Sequence, residues 1–345
     1  MADEPGGPEL KIGVIGIDHG HIVGMVDGML DAGAKVVAWA TGVQTSNEQR
    51  EAFQKGYPEA VEKSAREILE DETISLVLSA AINAHRADIA IAAMRHGKDV
   101  LVDKPGCVNL DQLSRVREVV TETNKIWSIY FAERVNAESS TLADQLIAQG
   151  RIGDVVQVIG QGPHSLSPST RPSWFWDLNL AGGILADLGT HQIDQFLHFT
   201  GSREATILSA FVDNVATPER PGFQDFGEVL LEGDEGRGFA RVDWLSPKGL
   251  PVLGDGRIMI MGTEGSIELR KFIDLAGRDG ADHLFLANDK GVNYFDAGGA
   301  GKPFFVRLLK DIENRTYTAM SQEHAFLVTD LALRAQSIGE GEENW

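Results

Sequence analysis

Cysteine is almost absent: Cys107 is the single thiol in 345 residues. One thiol closes no internal disulfide and builds no thiolate metal cluster, which excludes a disulfide-stapled scaffold and a cysteine-based zinc module. Placed directly after Lys104-Pro105-Gly106, it reads as a small buried residue. Long apolar runs are missing as well, and none approaches the ~20 residues needed to cross a bilayer. Positive charge is scarce, with 31 Lys and Arg against 51 Asp and Glu, a formal net charge of −20. Such a surface repels nucleic-acid phosphates and anionic lipid headgroups, so neither nucleic acid nor a membrane is expected as a partner. A phosphorylated small molecule stays open, because local backbone donors outweigh a distant field. The stretch Met1-Ala2-Asp3-Glu4-Pro5 is acidic and does not read as a secretory signal, so a cytoplasmic location is the expectation.

What is present is an ordinary globular composition, 43% hydrophobic, over a length that suits two domains. Residues 1–9 and 339–345 read as flexible ends. From Leu10 the pattern alternates. Apolar runs at 11–17, 35–40, 74–80, 100–102 and 126–131 read as strands, and 21–32, 48–55, 64–70, 87–96 and 110–123 as helices. Strands alternating with helices mean βαβ units on a parallel sheet. In the helix after the first strand, Ile22, Met25, Val26 and Met29 share a face. After about Arg134 the rhythm changes: a helix at 139–149, a strand at 155–160, a long irregular stretch to Gly183, and a helix at 184–200. Strand-like runs follow at 205–212, 226–232, 238–244, 257–262 and 265–270, then helices at 303–313 and 322–336. Consecutive strands without intervening helices indicate a mostly antiparallel sheet. The fold class is therefore α/β: a Rossmann-type parallel-sheet domain over 10–134, then an α+β domain over 135–338 with a mostly antiparallel sheet.

A glycine turn after the first strand of such a domain lets backbone N–H groups and a helix N-terminus meet a pyrophosphate. Here it reads Gly13-Val14-Ile15-Gly16-Ile17-Asp18-His19-Gly20-His21. Gly16 holds the first position of G-x-G-x-x-G; Asp18 and His21 hold the second and third. An acid at 18 is awkward beside a diphosphate unless its side chain caps the helix, and His19 and His21 either offset it or are solvated. As a metal pair, His19 and His21 lack a carboxylate nearby in sequence, and no metal is expected. The acid that would bind ribose hydroxyls at the end of the second strand is also missing, since that strand ends Ala40-Thr41-Gly42. Thr41 leaves room for a 2′-phosphate, yet no arginine follows at once to hold one, so NAD and NADP both stay open.

The string His96-Gly97-Lys98-Asp99-Val100-Leu101-Val102-Asp103-Lys104-Pro105 resembles the Glu-Lys-Pro segment of the Gfo/Idh/MocA oxidoreductase family, with Asp103 for the glutamate. Gly182-Gly183-Ile184-Leu185-Ala186-Asp187-Leu188-Gly189-Thr190-His191-Gln192-Ile193-Asp194 is similar to the family's G-G-x-x-x-D-x-G-x-H-x-x-D helix at every fixed position. Ser79 to His85 lies where the family has A-T-P-N-x-x-H, and Gly150-Arg151-Ile152-Gly153 matches a further common string. The resemblance runs from about Lys11 to Gln336. It implies NAD or NADP held by Gly16, Ile17, Asp18, His19, Thr41, Ala80, Ala81, His85, Asp103 and Lys104. It implies a catalytic triad of Lys104, Asp187 and His191, and a homo-oligomer, dimer or tetramer.

The chemistry agrees. Asp187 and His191 are spaced i, i+4 on one helix face, where a carboxylate supports an imidazole that takes a hydroxyl proton. Lys104 is a cation suited to a developing alkoxide. Asp187 is also placed to serve the helix start, and Asp194 reads as a structural partner. His85 either touches the cofactor or caps the following helix. Trp174, Phe175 and Trp176 offer faces for a sugar or cyclitol, with His164 and Arg171 as further contacts; core packing for two of the three rings is the other reading. The apolar alternation of Ile258 and Ile260 suggests burial against a partner subunit. The expected function is hydride transfer between NAD(P) and a sugar, cyclitol or related hydroxy/keto compound, with Lys104, Trp174, Trp176, Asp187 and His191 at the substrate. Two alternatives stay open: an NAD-assisted elimination or glycoside cleavage, and a weak dinucleotide-binding regulatory protein without catalysis.

Overall fold

A computed structural model describes residues 10–341; of the expected flexible ends, 1–9 and the 342–345 part of 339–345 lie outside them, while Gly339 closes the last helix. The chain forms two compact units, one running to Tyr130 and taking in Phe304–Ala325, the other comprising Phe131–Pro303 and the segment from Phe326.

The first unit holds β1 (Lys11–Ile15), α1 (His21–Asp31), β2 (Lys35–Ala40), α2 (Asn47–Gly56), β3 (Val61–Glu62), α3 (Ala65–Glu70), β4 (Leu76–Ser79), α4 (Arg86–Arg95), β5 (Asp99–Asp103), α5 (Leu110–Thr123) and β6 (Trp127–Tyr130). Its six strands pair in parallel in the order β3-β2-β1-β4-β5-β6. Every residue of β4, β5 and β6 is buried, as expected for strands covered by helices on both faces. The order reverses between β1 and β4, and in open α/β sheets the carboxyl ends at such a switch flank the ligand crevice. Ile22, Met25, Val26 and Met29 are the buried face of α1, as their spacing predicts. Capping boxes built by Ser46 with Gln49 and by Ser64 with Glu67 start α2 and α3; each satisfies helix donors that would otherwise be orphaned.

The second unit holds α6 (Ala132–Val135), α7 (Glu138–Ala148), β7 (Val155–Pro163), α8 (Leu178–Ala181), α9 (Thr190–Thr200), β8 (Ala205–Asp213), β9 (Phe226–Gly233), β10 (Arg237–Asp243), β11 (Arg257–Gly262), β12 (Gly265–Arg270), β13 (His283–Asn288) and β14 (Gly291–Asp296). The eight strands run β14-β13-β12-β11-β7-β10-β9-β8, antiparallel throughout except for the β7–β10 pair. Gly160 and Gly162 bring α9 close to β7: a Cβ built at either would stand 2.5 and 2.7 Å from the Gln192 amide. Glycine inside a strand marks just such an approach.

Three features depart from the sequence expectations. The chain returns to the first unit over Phe304–Ala325, between the two stretches of the second. Within α10 (Pro303–Asn314) and the residues beyond it, Phe305 packs on Tyr130 at 6.0 Å between ring centroids. Arg315 donates to Asp99 at 2.8 Å, and Gln322, at the start of α11 (Gln322–Gly339), bonds the backbone N–H and C=O of Trp127 on β6. A single boundary near 134 misses this return. Second, the hairpin of β13 and β14 was not anticipated, because most of β14 is exposed on both faces and carries no alternation. Third, Ile258 and Ile260 are 0% exposed within the chain itself. Their alternation reports the chain's own core, and the outward residues of β11 are Met259 and Met261.

Candidate functional site

In the first unit, Gly16 takes φ +83° at the end of β1, and Gly20 precedes α1, whose first turn carries no acid. Ile17 and Asp18 are buried, yet their backbone N–H groups donate to nothing among the described residues, and neither does that of Gly20. Buried unpaired amides beside a helix N-terminus fit an anionic ligand, and a pyrophosphate is the group this position takes in Rossmann-type domains.

Asp18 does not cap α1. Its Oδ1 accepts from the Gln44 amide at 3.2 Å and the Thr45 hydroxyl at 2.8 Å, and its Oδ2 from the Ile82 amide at 3.2 Å. The acid thus turns from the phosphate turn toward the loops after β2 and β4. Thr41 is exposed in the first of these loops, while Ala80 and Ala81 are buried in the second. His85 is half-buried and occupies the N-cap position of α4, where its side chain makes no capping bond.

The two turn histidines do not offset Asp18. Both face Asp103, the last residue of β5, with His21 Nδ1 at 2.9 Å from Oδ1 and His19 Nδ1 at 3.2 Å from Oδ2. The carboxylate partner missing from their sequence neighbourhood therefore arrives from 82 residues away. Burial, then the neighbouring His21, pulls the His19 pKa down to about 4, so its imidazole is neutral at pH 7. Burial works against the Asp103 charge, but His21, Arg86 and His19 hold that carboxyl well below the usual range. His19, His21 and Asp103 are close enough to share a metal ion. The carboxylate, however, already meets Arg86 at 3.0 Å and the Lys104 amide at 2.9 Å, which leaves little room for a second cation.

Asp103 is fully buried, so it is an anchor under the turn rather than a surface for a cofactor. Arg86 carried no sequence signal beyond following His85. It is fully buried, bonding the carbonyls of Ala81, Lys104 and Pro105 and thereby tying the ends of β4 and β5 together. Lys104 itself is 4% exposed and precedes a cis peptide bond to Pro105.

In the second unit, Gly182 and Gly183 at φ +92° and +86° lead into Leu185–Gly189, which winds as a π turn before α9. The expected helix from 184 is thus widened at Asp187, and π turns of this kind are frequent at functional sites. Asp187 lies on the π turn and His191, 2% exposed, on the first turn of α9. Asp194 accepts Nε and Nη2 of Arg134 at 2.7 and 2.8 Å, the structural pairing expected of it.

Glu133 was not among the candidates, because no motif marks it. It is 5% exposed, and Oε2 accepts from Lys271 Nζ at 2.7 Å and Gln192 Nε2 at 2.9 Å. Lys271 Nζ also donates to Gln195, whose own amide donates to the His191 carbonyl. Burial pushes the Glu133 carboxyl up, but Lys271, His191 and His164 together bring it well below the usual range. A glutamate next to the Arg134 position is the one available cue.

Arg171 bonds the carbonyls of Ser165 and Leu166, and its guanidinium lies 4.6 Å from the ring centroids of both Phe175 and Trp244. Burial lowers its pKa while Asp187 raises it, which places that carboxylate within electrostatic reach. Trp174 and Phe175 are buried, the core reading for two of the three rings. Trp176 is half-buried with Arg220 3.7 Å from its ring centroid. Lys104 thus belongs to the first unit, and Asp187, His191, Trp174 and Trp176 to the second.

Comparison with known proteins agrees with this division. The model of an oxidoreductase family with an NAD-binding Rossmann fold matches residues 10–131, and that of the GFO/IDH/MocA C-terminal domain matches 141–268. A crystal structure from Erwinia carotovora atroseptica, assigned as an oxidoreductase, is 39% identical with a TM-score of 0.91, over 95% of this chain and 98% of that one. Levoglucosan dehydrogenase from Pseudarthrobacter phenanthrenivorans is 30% identical over 59% of this chain, a match spanning about half (51%) of that enzyme's length. The scyllo-inositol 2-dehydrogenase (NADP(+)) of Bacillus subtilis is 24% identical over 96% of this chain and 87% of its own length. With both halves matched in order, the chain belongs to the Gfo/Idh/MocA family of NAD(P)-dependent oxidoreductases.

Proposed function

We propose that this chain transfers hydride between NAD(P) and a sugar, a cyclitol or a related hydroxy/keto compound, with Lys104, Asp187 and His191 acting at the reacting centre. The observation that carries the reading is the placement of Asp187 on a π turn and of His191 on the helix turn that follows, with the buried Glu133 carboxylate within electrostatic reach of the imidazole. The unpaired amides of Ile17, Asp18 and Gly20 are suited to hold the pyrophosphate. When bound, the cofactor supplies the redox chemistry.

The protein's part is to move a proton and to stabilise charge. His191 takes the hydroxyl proton as the carbinol is oxidised and returns it in the reverse direction. Asp187 and Glu133 are the anions that make the imidazolium affordable. The Lys104 ammonium stabilises the developing alkoxide. Trp176, with one ring face covered by Arg220, is the aromatic surface suited to the C–H face of a polyol.

The test is turnover with NAD and NADP over a panel of sugars and cyclitols, repeated with His191→Ala. Removing a general base lowers the rate typically 10²–10⁴-fold, and the variant should retain the parent melting temperature to within a few degrees. Undiminished turnover would remove His191 from the chemistry. Oligomerisation through the sheet face that exposes Met259 and Met261 belongs to the same reading, and a clean monomer in gel filtration at low micromolar concentration would count against it.

A further inference from the structure

The sequence lacks the acid that, at the end of the second strand of a dinucleotide-binding sheet, hydrogen-bonds the ribose 2′-hydroxyl. The structure nonetheless has a carboxylate there. A Cβ built on Gly42, two residues beyond β2, would stand 1.7 Å from Asp18 Oδ2, so the Asp18 side chain fills the space that the missing residue's neighbour leaves open. It arrives from the glycine turn itself, at the position where the fingerprint has its second glycine.

Three neutral donors fix it: the Gln44 amide and Thr45 hydroxyl on Oδ1, and the Ile82 amide on Oδ2. The Thr45 hydroxyl is in turn held by the Gly42 amide at 2.7 Å, and the Gln49 side chain donates to the Asp18 carbonyl at 2.9 Å. A carboxylate has about four acceptor positions. The chain takes two on Oδ1 and one on Oδ2, leaving one on the oxygen that abuts Gly42. No lysine or arginine occurs from Thr41 to Gln49, and the first cation after them, Arg50, is paired with Glu62 at 2.9 Å.

We propose that Asp18 is the ribose-site carboxylate of this chain, standing in for the acid absent after β2, and that it selects NAD(H) over NADP(H). A hydroxyl donates to the remaining acceptor of Oδ2. A 2′-phosphate brings two negative charges to a fixed carboxylate whose neighbouring loop, 41–49, holds no lysine or arginine, and like charges in a partly buried site repel strongly. The glycine lost at the second position of the turn is thereby exchanged for a recognition group. This rests on the nicotinamide-cofactor reading of the first unit.

The test is equilibrium titration of the full chain with NADH and with NADPH at fixed ionic strength, read by tryptophan quenching and reduced-nicotinamide fluorescence. NADH should bind at least about tenfold more tightly than NADPH. Asp18→Asn, which keeps an acceptor oxygen but removes the charge, should narrow that ratio several-fold or abolish it. Thr45→Val removes one bond to Asp18 and leaves the carboxylate. It should keep the preference for NADH if the charge is what discriminates, whereas a purely structural staple would make it behave like Asp18→Asn. Equal or tighter NADPH binding by the parent chain, or an unchanged ratio in a folded Asp18→Asn, overturns the proposal while leaving the cofactor reading intact. Binding of neither nucleotide overturns both.

Discussion

Each unit keeps one buried carboxylate facing two imidazoles and a cation: Asp103 with His19, His21 and Arg86 in the first, and Glu133 with His164, His191 and Lys271 in the second. The inventories are alike and the supports are not. Arg86 has three backbone carbonyls besides its carboxylate. Lys271 has Glu133 and the single amide oxygen of Gln195. The first cluster is therefore a brace that happens to contain charge, locking strand ends around the Lys104 turn. The second is held together by charge itself, and it bears on the residue proposed to accept the proton. A buried ion cluster gains function where its members are not otherwise tied down.

The comparison breaks most visibly at Glu133. Glu133→Gln should leave a buried ammonium without its counter-ion and cost about 3–5 kcal/mol, measured as a loss of urea midpoint. Adding Lys271→Met should recover most of that. An unchanged midpoint would mean that the ammonium is supported by something other than Glu133. Asp103→Asn should cost less, about 1–3 kcal/mol for disturbed hydrogen bonds to a charged partner, because Arg86 retains its carbonyls. A loss as large as that of Glu133→Gln would erase the distinction between the two clusters.

The smallest expected effect sharpens the comparison through pH. His19 in the folded chain has its pKa lowered to about 4 from about 6.5 unfolded. Between those values the unfolded chain binds the extra proton, so stability is complete above about pH 6.5 and falls as pH drops toward 4. Glu133 behaves otherwise: with its folded pKa depressed, its contribution is present above the unfolded glutamate pKa of about 4.3 and declines only below it. His19→Gln should flatten the stability profile between pH 6.5 and 4.5, and Glu133→Gln should leave that window's slope alone. Equal flattening by both would show that the titrations are not separable.

Much of this was readable along the chain. The buried face of α1, the parallel strands, the antiparallel second sheet and the buried Cys107 all follow from local spacing or adjacency. What was not readable depends on separation. Asp18 finds its partners 26, 27 and 64 residues away. The turn histidines meet an acid 82 residues on, and Glu133 is paired to a lysine 138 residues on. No periodicity encodes such meetings; they arise only when the sheet order brings strand ends together. The π turn at Asp187 was hidden for another reason, since nearly every residue around it is buried and no periodicity remains to show a widened turn.

The bonds from Gln322 to both backbone groups of Trp127 carry a consequence for synthesis on the ribosome. β6 is the border strand of its sheet, and an uncovered border is a template for pairing with other chains. Its cover is translated nearly two hundred residues later, after the Phe131–Pro303 part of the second unit. The nascent first unit must wait for that late segment with one edge open, and a fragment terminated at 134 would carry that sticky margin permanently.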